Sequence, residues 1–220
     1  LVDDEGSFEP ARARRTFTLH GVDAVELVLL PWLAKHVAEV APGLHLKFLP
    51  AVPSVFGELE SGSLDLAIGV LPAPPAKAFR HQLLYRQRFL CVVRRGHPLD
   101  PSSLTLERYL SLSHVGVSPF GHPGNLIDEA LAKLGHRREV AVVVPHFLVA
   151  PLVVAETDYV ALLPEGTARQ FADMLSLRLF EPPFAIEPLA VSLLWHERAQ
   201  FDPAHAWLRE TAVTVSRSLR

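Results

Sequence analysis

The stretch Val144–Pro164, VPHFLVAPLVVAETDYVALLP, constrains the fold of this chain more than any other. It reads as the end of a strand, a turn at Pro145-His146, an almost wholly apolar helix, a polar break at Glu156-Thr157-Asp158 and a second strand. That is a β-α-β unit with a short helix. Phe147, Leu148, Val149, Leu152, Val153 and Val154 put apolar groups on every side of the helix, which predicts that it is buried. Apolar strands on either side imply a parallel sheet covered on both faces. Ligands of such sheets collect at the carboxyl ends of strands, beside helix N-termini. Here that place is Pro145-His146-Phe147.

The rest of the chain repeats the pattern. Residues 1–15 are polar and aperiodic, and read as a linker or arm. Thr16–His20 begins a strand, and Asp23 with Glu26 has capping-box spacing for a helix to about Val40, kinked at Pro31. Leu44–Leu49 alternates as a strand. Pro53 opens a short helix that ends near Gly62, and Leu64–Val70 is another strand. The order β-α-β-α-β marks an open parallel sheet. Gln82–Arg94 is too long for one buried strand and carries Arg86, Gln87 and Arg88 at its middle, so it reads as two strands joined by a polar hinge. Beyond it come a helix at Thr105–Leu110, a strand at Ser113–Val117, a loop at Ser118–His122 and an amphipathic helix at Pro123–Leu134. A helix near Thr167–Met174 and a strand near Leu177–Phe180 follow the opening motif. The proline-rich stretch Glu181–Pro188 reads as a return crossover, Leu189–Trp195 as a strand and Pro203 as the start of the last helix. Two crossings divide the chain into subdomain I (16–86 and 187–220) and subdomain II (87–186), with a cleft between them as the expected binding site.

Composition removes several classes of function. A hydrophobic content of 49% excludes a disordered chain. With 24 acidic and 21 basic residues and no dense Lys/Arg stripe, this segment by itself is a poor nucleic-acid surface. The single cysteine, Cys91, lies in the apolar run Phe89–Val93. It reads as a buried strand thiol and points to a reducing, cytoplasmic compartment. The longest apolar run, Val140–Ala155, is interrupted by Pro145, His146 and Pro151 and falls short of the ~18 residues of a membrane span. The start, LVDDEG, is acidic and lacks Met, so the chain is expected to be cut from a longer protein.

No catalytic constellation emerges. HExxH, Cys/His clusters, G-x-S-x-G, G-x-G-x-x-G and the P-loop are absent from the sequence, so neither a metal nor a nucleotide cofactor is expected. The candidates that remain are loops that end strands and start helices. They are His20-Gly21-Val22-Asp23, then Ser118-Pro119-Phe120-Gly121-His122, then Pro145-His146-Phe147. Free backbone N–H groups make each a potential anion site, and the aromatic and imidazole side chains suit a flat ligand. Tyr85 and Gln87 lie on the hinge.

These residues carry a resemblance. The stretches RRTFTLHGVD (14–23), LPWLAKHVAEVAPGLHL (30–46), SGSLDLAIGVLP (61–72), the HP of RRGHPL, the opening motif and LLWHERAQFDPAHAWLRE (193–210) occur in order. Together they resemble the effector-binding domain of LysR-type transcriptional regulators, most closely the branch that senses small aromatic compounds. The resemblance implies two Rossmann-like subdomains of the periplasmic-binding-protein type II kind, with a small, aromatic effector in a central cleft. It further implies an N-terminal winged helix-turn-helix that binds DNA, a homodimer through helices 23–40 and 123–134, and a homotetramer of the full-length protein. The family's cleft maps to His20–Asp23, Tyr85, Gln87 and Ser118–His122. Val22 is a departure, because many aromatic-sensing relatives have a hydroxyl residue there, and its loss removes a contact that could hold a carboxylate. A periplasmic solute-binding protein of a transport system is the alternative on the same fold, and an enzyme such as a dehydratase is a second.

Overall fold

In the computed structural model, residues 8–50, 52, 54–71, 76–99, 104–119, 121 and 126–217 are described. The chain separates into two compact units, one running up to Arg86 and resuming at Ala190, the other spanning Gln87–Leu189.

The first unit is built on the sheet β2-β1-β3-β10-β4. Its strands are β1 (Arg15–Gly21), β2 (Leu44–Leu49), β3 (Leu66–Val70), β4 (Phe79–Gln87, whose last residue opens the second unit) and β10 (Leu189–His196). β1 runs parallel to β2 and to β3, as the β-α-β-α-β order requires, while β10 returns antiparallel to β3. Side chains alternate across the sheet. Phe17, Leu19, Leu66, Ile68, Leu193 and Trp195 face helices α1 (Asp23–Val40) and α7 (Pro203–Arg217). Ala67 and Leu194 face α2 (Val55–Ser61) through Leu59. Helix α2 is capped by the Ser54 hydroxyl and stopped by Gly62 at φ 85°; the Pro53 expected to open it lies outside the described residues. Pro31 is accommodated inside α1, the expected helix of 18 residues.

A polar seam ties α7 to β1. Arg15 bridges Asp65 (2.9 Å) and Asp202 (2.5 Å), and Asp202 also accepts from the Ala204 and His205 N–H groups that open α7. The arm has order of its own in its described part: Phe8 packs on Trp207, and Glu9–Arg12 closes a turn.

The second unit is built on the sheet β7-β6-β8-β5-β9. Its strands are β5 (Phe89–Arg94), β6 (Ser113–Val117), β7 (Glu139–Val144), β8 (Val160–Pro164) and β9 (Leu177–Phe180); its helices are α3 (Leu106–Leu110), α4 (Leu126–Lys133), α5 (Ala150–Ala155) and α6 (Glu165–Leu175). β6 is parallel to both β7 and β8, whereas β5 is antiparallel to β8 and β9. Each sheet is therefore mixed, not wholly parallel. The antiparallel members are the strands that follow the two crossings, and local sequence pattern does not encode their direction. Leu90, Val92, Ala161 and Leu163 pack against α5 and α6, while Phe89, Cys91, Val160 and Leu162 pack on the other face with Tyr109, Ile127 and Leu131. The cysteine is buried, as its apolar run implied.

Two expectations need correction. Helix α5 is not buried all round: Ala150, Pro151 and Val154 face the core, but Leu152 is 49% exposed and Val149 37%. The helix begins only at Ala150, after a turn at Phe147–Val149, so one and a half turns lie flat on the sheet and show their other side to water. Strand β7 is likewise an edge strand with Val143 exposed. The second correction concerns α1. Its N-cap is Val22, which has no side-chain oxygen, and Asp23 is already inside the first turn, so no capping box forms. The strand runs on through Gly21 and leaves a single residue for the turn.

Candidate functional site

Parallel strands end on the same side of a sheet, and that side gathers most of the expected residues of each unit. In the first unit, β1, β2 and β3 end at Gly21, Leu49 and Val70. Gly21 sits where a Cβ would meet the Ile68 carbonyl at 3.2 Å, so glycine lets β1 and β3 close up just before α1. His20 is buried, and its Nδ1 lies 3.4 Å from the Leu49 carbonyl and 3.2 Å from the Pro50 carbonyl. Both oxygens are acceptors, so Nδ1 carries a proton. Tyr85 reaches the same edge from β4. The Glu197 N–H donates to Ala78 and Phe79 packs on His196, so β4 starts where β10 ends and runs antiparallel to it. That puts Tyr85 beside the start of β10, near the end of β3. Its ring packs on the core while its hydroxyl is buried with no partner, and burial pushes the phenol up to about 12.

In the second unit, β6 and β7 end side by side, and the Ser118 N–H donates to the Val144 carbonyl at 2.9 Å. The Ser118-Pro119 loop and the Pro145-His146-Phe147 loop are thereby brought together. Pro145 and His146 are exposed, and Phe147 is half-buried against the core. Phe120 and His122 lie outside the described residues. Gln87 enters on this edge too, because β5 starts where antiparallel β8 ends; its side-chain amide donates to the Arg88 carbonyl at 3.2 Å. Next to it is a charged group that sequence reasoning missed. Arg88 grips Glu165 through Nε (3.1 Å) and Nη2 (3.0 Å) and reaches Glu181 at 3.3 Å, while Arg169 also pairs with Glu165. These arginines hold the Glu165 carboxyl below its ordinary range against the opposing effect of burial. Thr167, wholly buried in the first turn of α6, has a hydroxyl without a partner and was also missed. Nothing in local sequence marks either group, since each depends on strands paired across more than 70 residues.

The HP signature has a structural part. His97 is buried, donates from Nε2 to the Asp158 carbonyl (3.0 Å) and accepts the Leu99 N–H at Nδ1 (3.0 Å). With both nitrogens used, it staples the end of β5 to the polar break before β8. Among the described residues no three His, Cys, Asp or Glu side chains gather as metal ligands would. No helix among them is long and apolar enough to cross a membrane.

Two α/β units, the first interrupted by the second, each built on a five-stranded mixed sheet, define a two-subdomain α/β domain. The chain belongs to the LysR substrate binding domain family, whose model matches residues 10–217. It is 37% identical over 214 residues to the HTH-type transcriptional regulator SyrM of Rhizobium meliloti (strain 1021), covering 96% of this chain and 65% of that protein. It is 32% identical to the HTH-type transcriptional activator NagR of Ralstonia sp, covering 95% and 69%. The chain thus spans about two thirds of the length of these curated relatives. Among solved structures, a probable transcriptional regulator from Pseudomonas aeruginosa superposes with a TM-score of 0.86 at 33% identity, over 94% of this chain and 68% of that one. The regulatory domain of MexT, a transcriptional activator in Pseudomonas aeruginosa, does so with 0.81 at 28% identity, over 92% and 98%. The chain is accordingly the effector-binding domain of a LysR-type regulator, of the periplasmic-binding-protein type II kind, and the transport alternative finds no support among these relatives.

Proposed function

We propose that the chain senses a small aromatic molecule at the carboxyl edges of its sheets and binds it without turning it over. The observation that carries this reading is the convergence of His20, Gly21, Val22, Asp23 and Tyr85 on one edge, and of Gln87, Ser118, Pro119, Pro145, His146 and Phe147 on the other. Phe120 and His122 belong to the same proposed set by their place in the Ser118–His122 loop. Aromatic and imidazole groups beside backbone turns suit a flat ligand with one or two polar substituents. Effector binding shifts the population of regulator conformations, which requires different affinities for the states involved. DNA is bound by a winged helix-turn-helix segment preceding this domain, and the regulator works in the cytoplasm. Calorimetric titration of the chain with a panel of benzoates, phenols and benzamides tests the reading; no heat of binding from any member sinks it.

The proposed homodimer uses α1 and α4, and the full-length regulator assembles as a tetramer. Trp32 is 55% exposed on α1, and buried tryptophans are frequent anchors of interfaces. Trp32→Glu is expected to weaken self-association of the chain by at least about tenfold, read by sedimentation velocity across a concentration series. An unchanged dimer removes α1 from the interface.

A further inference from the structure

Among the described residues, several groups that could hold an anion at the two edges are already used. In the first unit the Val25 and Glu26 N–H groups both donate to the Val22 carbonyl, at 2.8 and 3.1 Å. Asp23 and Glu26 add two carboxylates to the same turn, complementing the positive end of the helix dipole. Burial, and after it Asp23, raises the Glu26 carboxyl, so a further negative charge beside it is disfavoured. In the second unit the Ser118 N–H is committed to Val144, the Gly121 N–H to Ser118 and the Glu165 N–H to Arg88. Arg88 is held between Glu165 and Glu181, and Arg169 is held on Glu165. Arg86 is exposed and, one residue along the strand, lies on the face of β4 opposite Tyr85. Among the described residues of these edges, two buried hydroxyls have no hydrogen-bond partner, Tyr85 Oη and Thr167 Oγ1.

A carboxylate at the first edge would sit beside the carboxylates of Asp23 and Glu26, and one at the second would have to take Arg88 from its partners. Both are unfavourable, because a charge removed from water needs a paired counter-charge. An uncharged ligand meets neither obstacle, and it can satisfy a buried hydroxyl that otherwise has no partner. Resting on the function proposed above, we infer that the effector is an uncharged aromatic molecule, an amide or phenol and not a carboxylate, with the Tyr85 hydroxyl as one of its hydrogen-bond partners. Because burial raises the phenol, Tyr85 remains a protonated donor throughout the neutral range.

Matched pairs separate the charge from the shape of the ligand. Benzamide against benzoate, and salicylamide against salicylate, are titrated calorimetrically into the 220-residue chain. The amides are expected to bind at least about tenfold more tightly than the acids. Tyr85→Phe is expected to weaken the amides about tenfold while leaving the melting temperature unchanged, since the lost hydroxyl bonds nothing in the free protein. Glu26→Gln is expected to strengthen the acids several-fold and narrow the gap. Acids binding as tightly as amides, or amide affinity indifferent to Tyr85→Phe, would overturn the inference and leave the sensing function standing. Absence of binding by all four probes would overturn both.

Discussion

Lowering the pH from 7 towards 4 is expected to remove about 3 kcal/mol of stability from the second unit through His114 alone, taking 1.36 kcal/mol per pH unit. His114 has no exposed surface. Its Nε2 donates to the Tyr109 carbonyl at 3.1 Å, its ring meets the Tyr109 ring at 4.5 Å, and burial, with Arg138 second, holds its pKa down to about 4. The unfolded chain takes up a proton at about 6.5, so below that pH it binds more protons than the folded chain. The contribution is complete above about 6.5, declines as the pH falls, and is fully lost below about 4. His205 in the first unit acts in the same direction, because burial lowers its pKa too. Urea midpoints of the parent and of His114→Gln, compared between pH 7 and 4, isolate the term. The variant should lose the steep part of the slope, and an equally steep slope would mean that His114 titrates freely.

Phe17→Ala is expected to cost the first unit about 3–5 kcal/mol. The ring has no exposed surface, lies among residues of α1, α7 and four strands, and carries the Arg15 guanidinium 4.3 Å above its centroid. Its loss combines a cavity with a cation–π contact, and it unsettles the arginine that joins Asp65 to Asp202. Phe17→Leu should cost markedly less, since it restores most of the volume. Trp32, Trp195 and Trp207 all lie in this unit, so tryptophan fluorescence during urea unfolding reports it without interference. A loss below about 1 kcal/mol would show that the core collapses around the gap.

Most elements were legible because their signals are local. The alternation in Leu44–Leu49, the Gly62 stop and the continuous apolar runs of β5 and β8 each state their structure within a few residues. What failed had non-local causes. Leu152 and Val149 are as apolar as Val154, and only the position of the sheet decides which of them meets the core. Val22, not Asp23, caps α1 because pairing with β3 extends β1 through Gly21. The edges of the candidate site were legible as strand ends. The Arg88–Glu165 pair, the stranded hydroxyl of Thr167 and the nearness of His20 to Glu26 were not, since each is created by chain folding.

The two-sided burial of β5 and β8 also limits how this sequence can change. Odd-numbered residues of β5 (Phe89, Cys91, Val93) enter one core and even-numbered ones (Leu90, Val92) the other. Point substitutions therefore act on one core at a time. A one-residue insertion or deletion within Phe89–Arg94 would exchange the two sets and mispack both faces at once. Length variation among relatives of this domain should accordingly fall in its loops and spare these two strands, a pattern that deletion scanning of the gene can reveal directly.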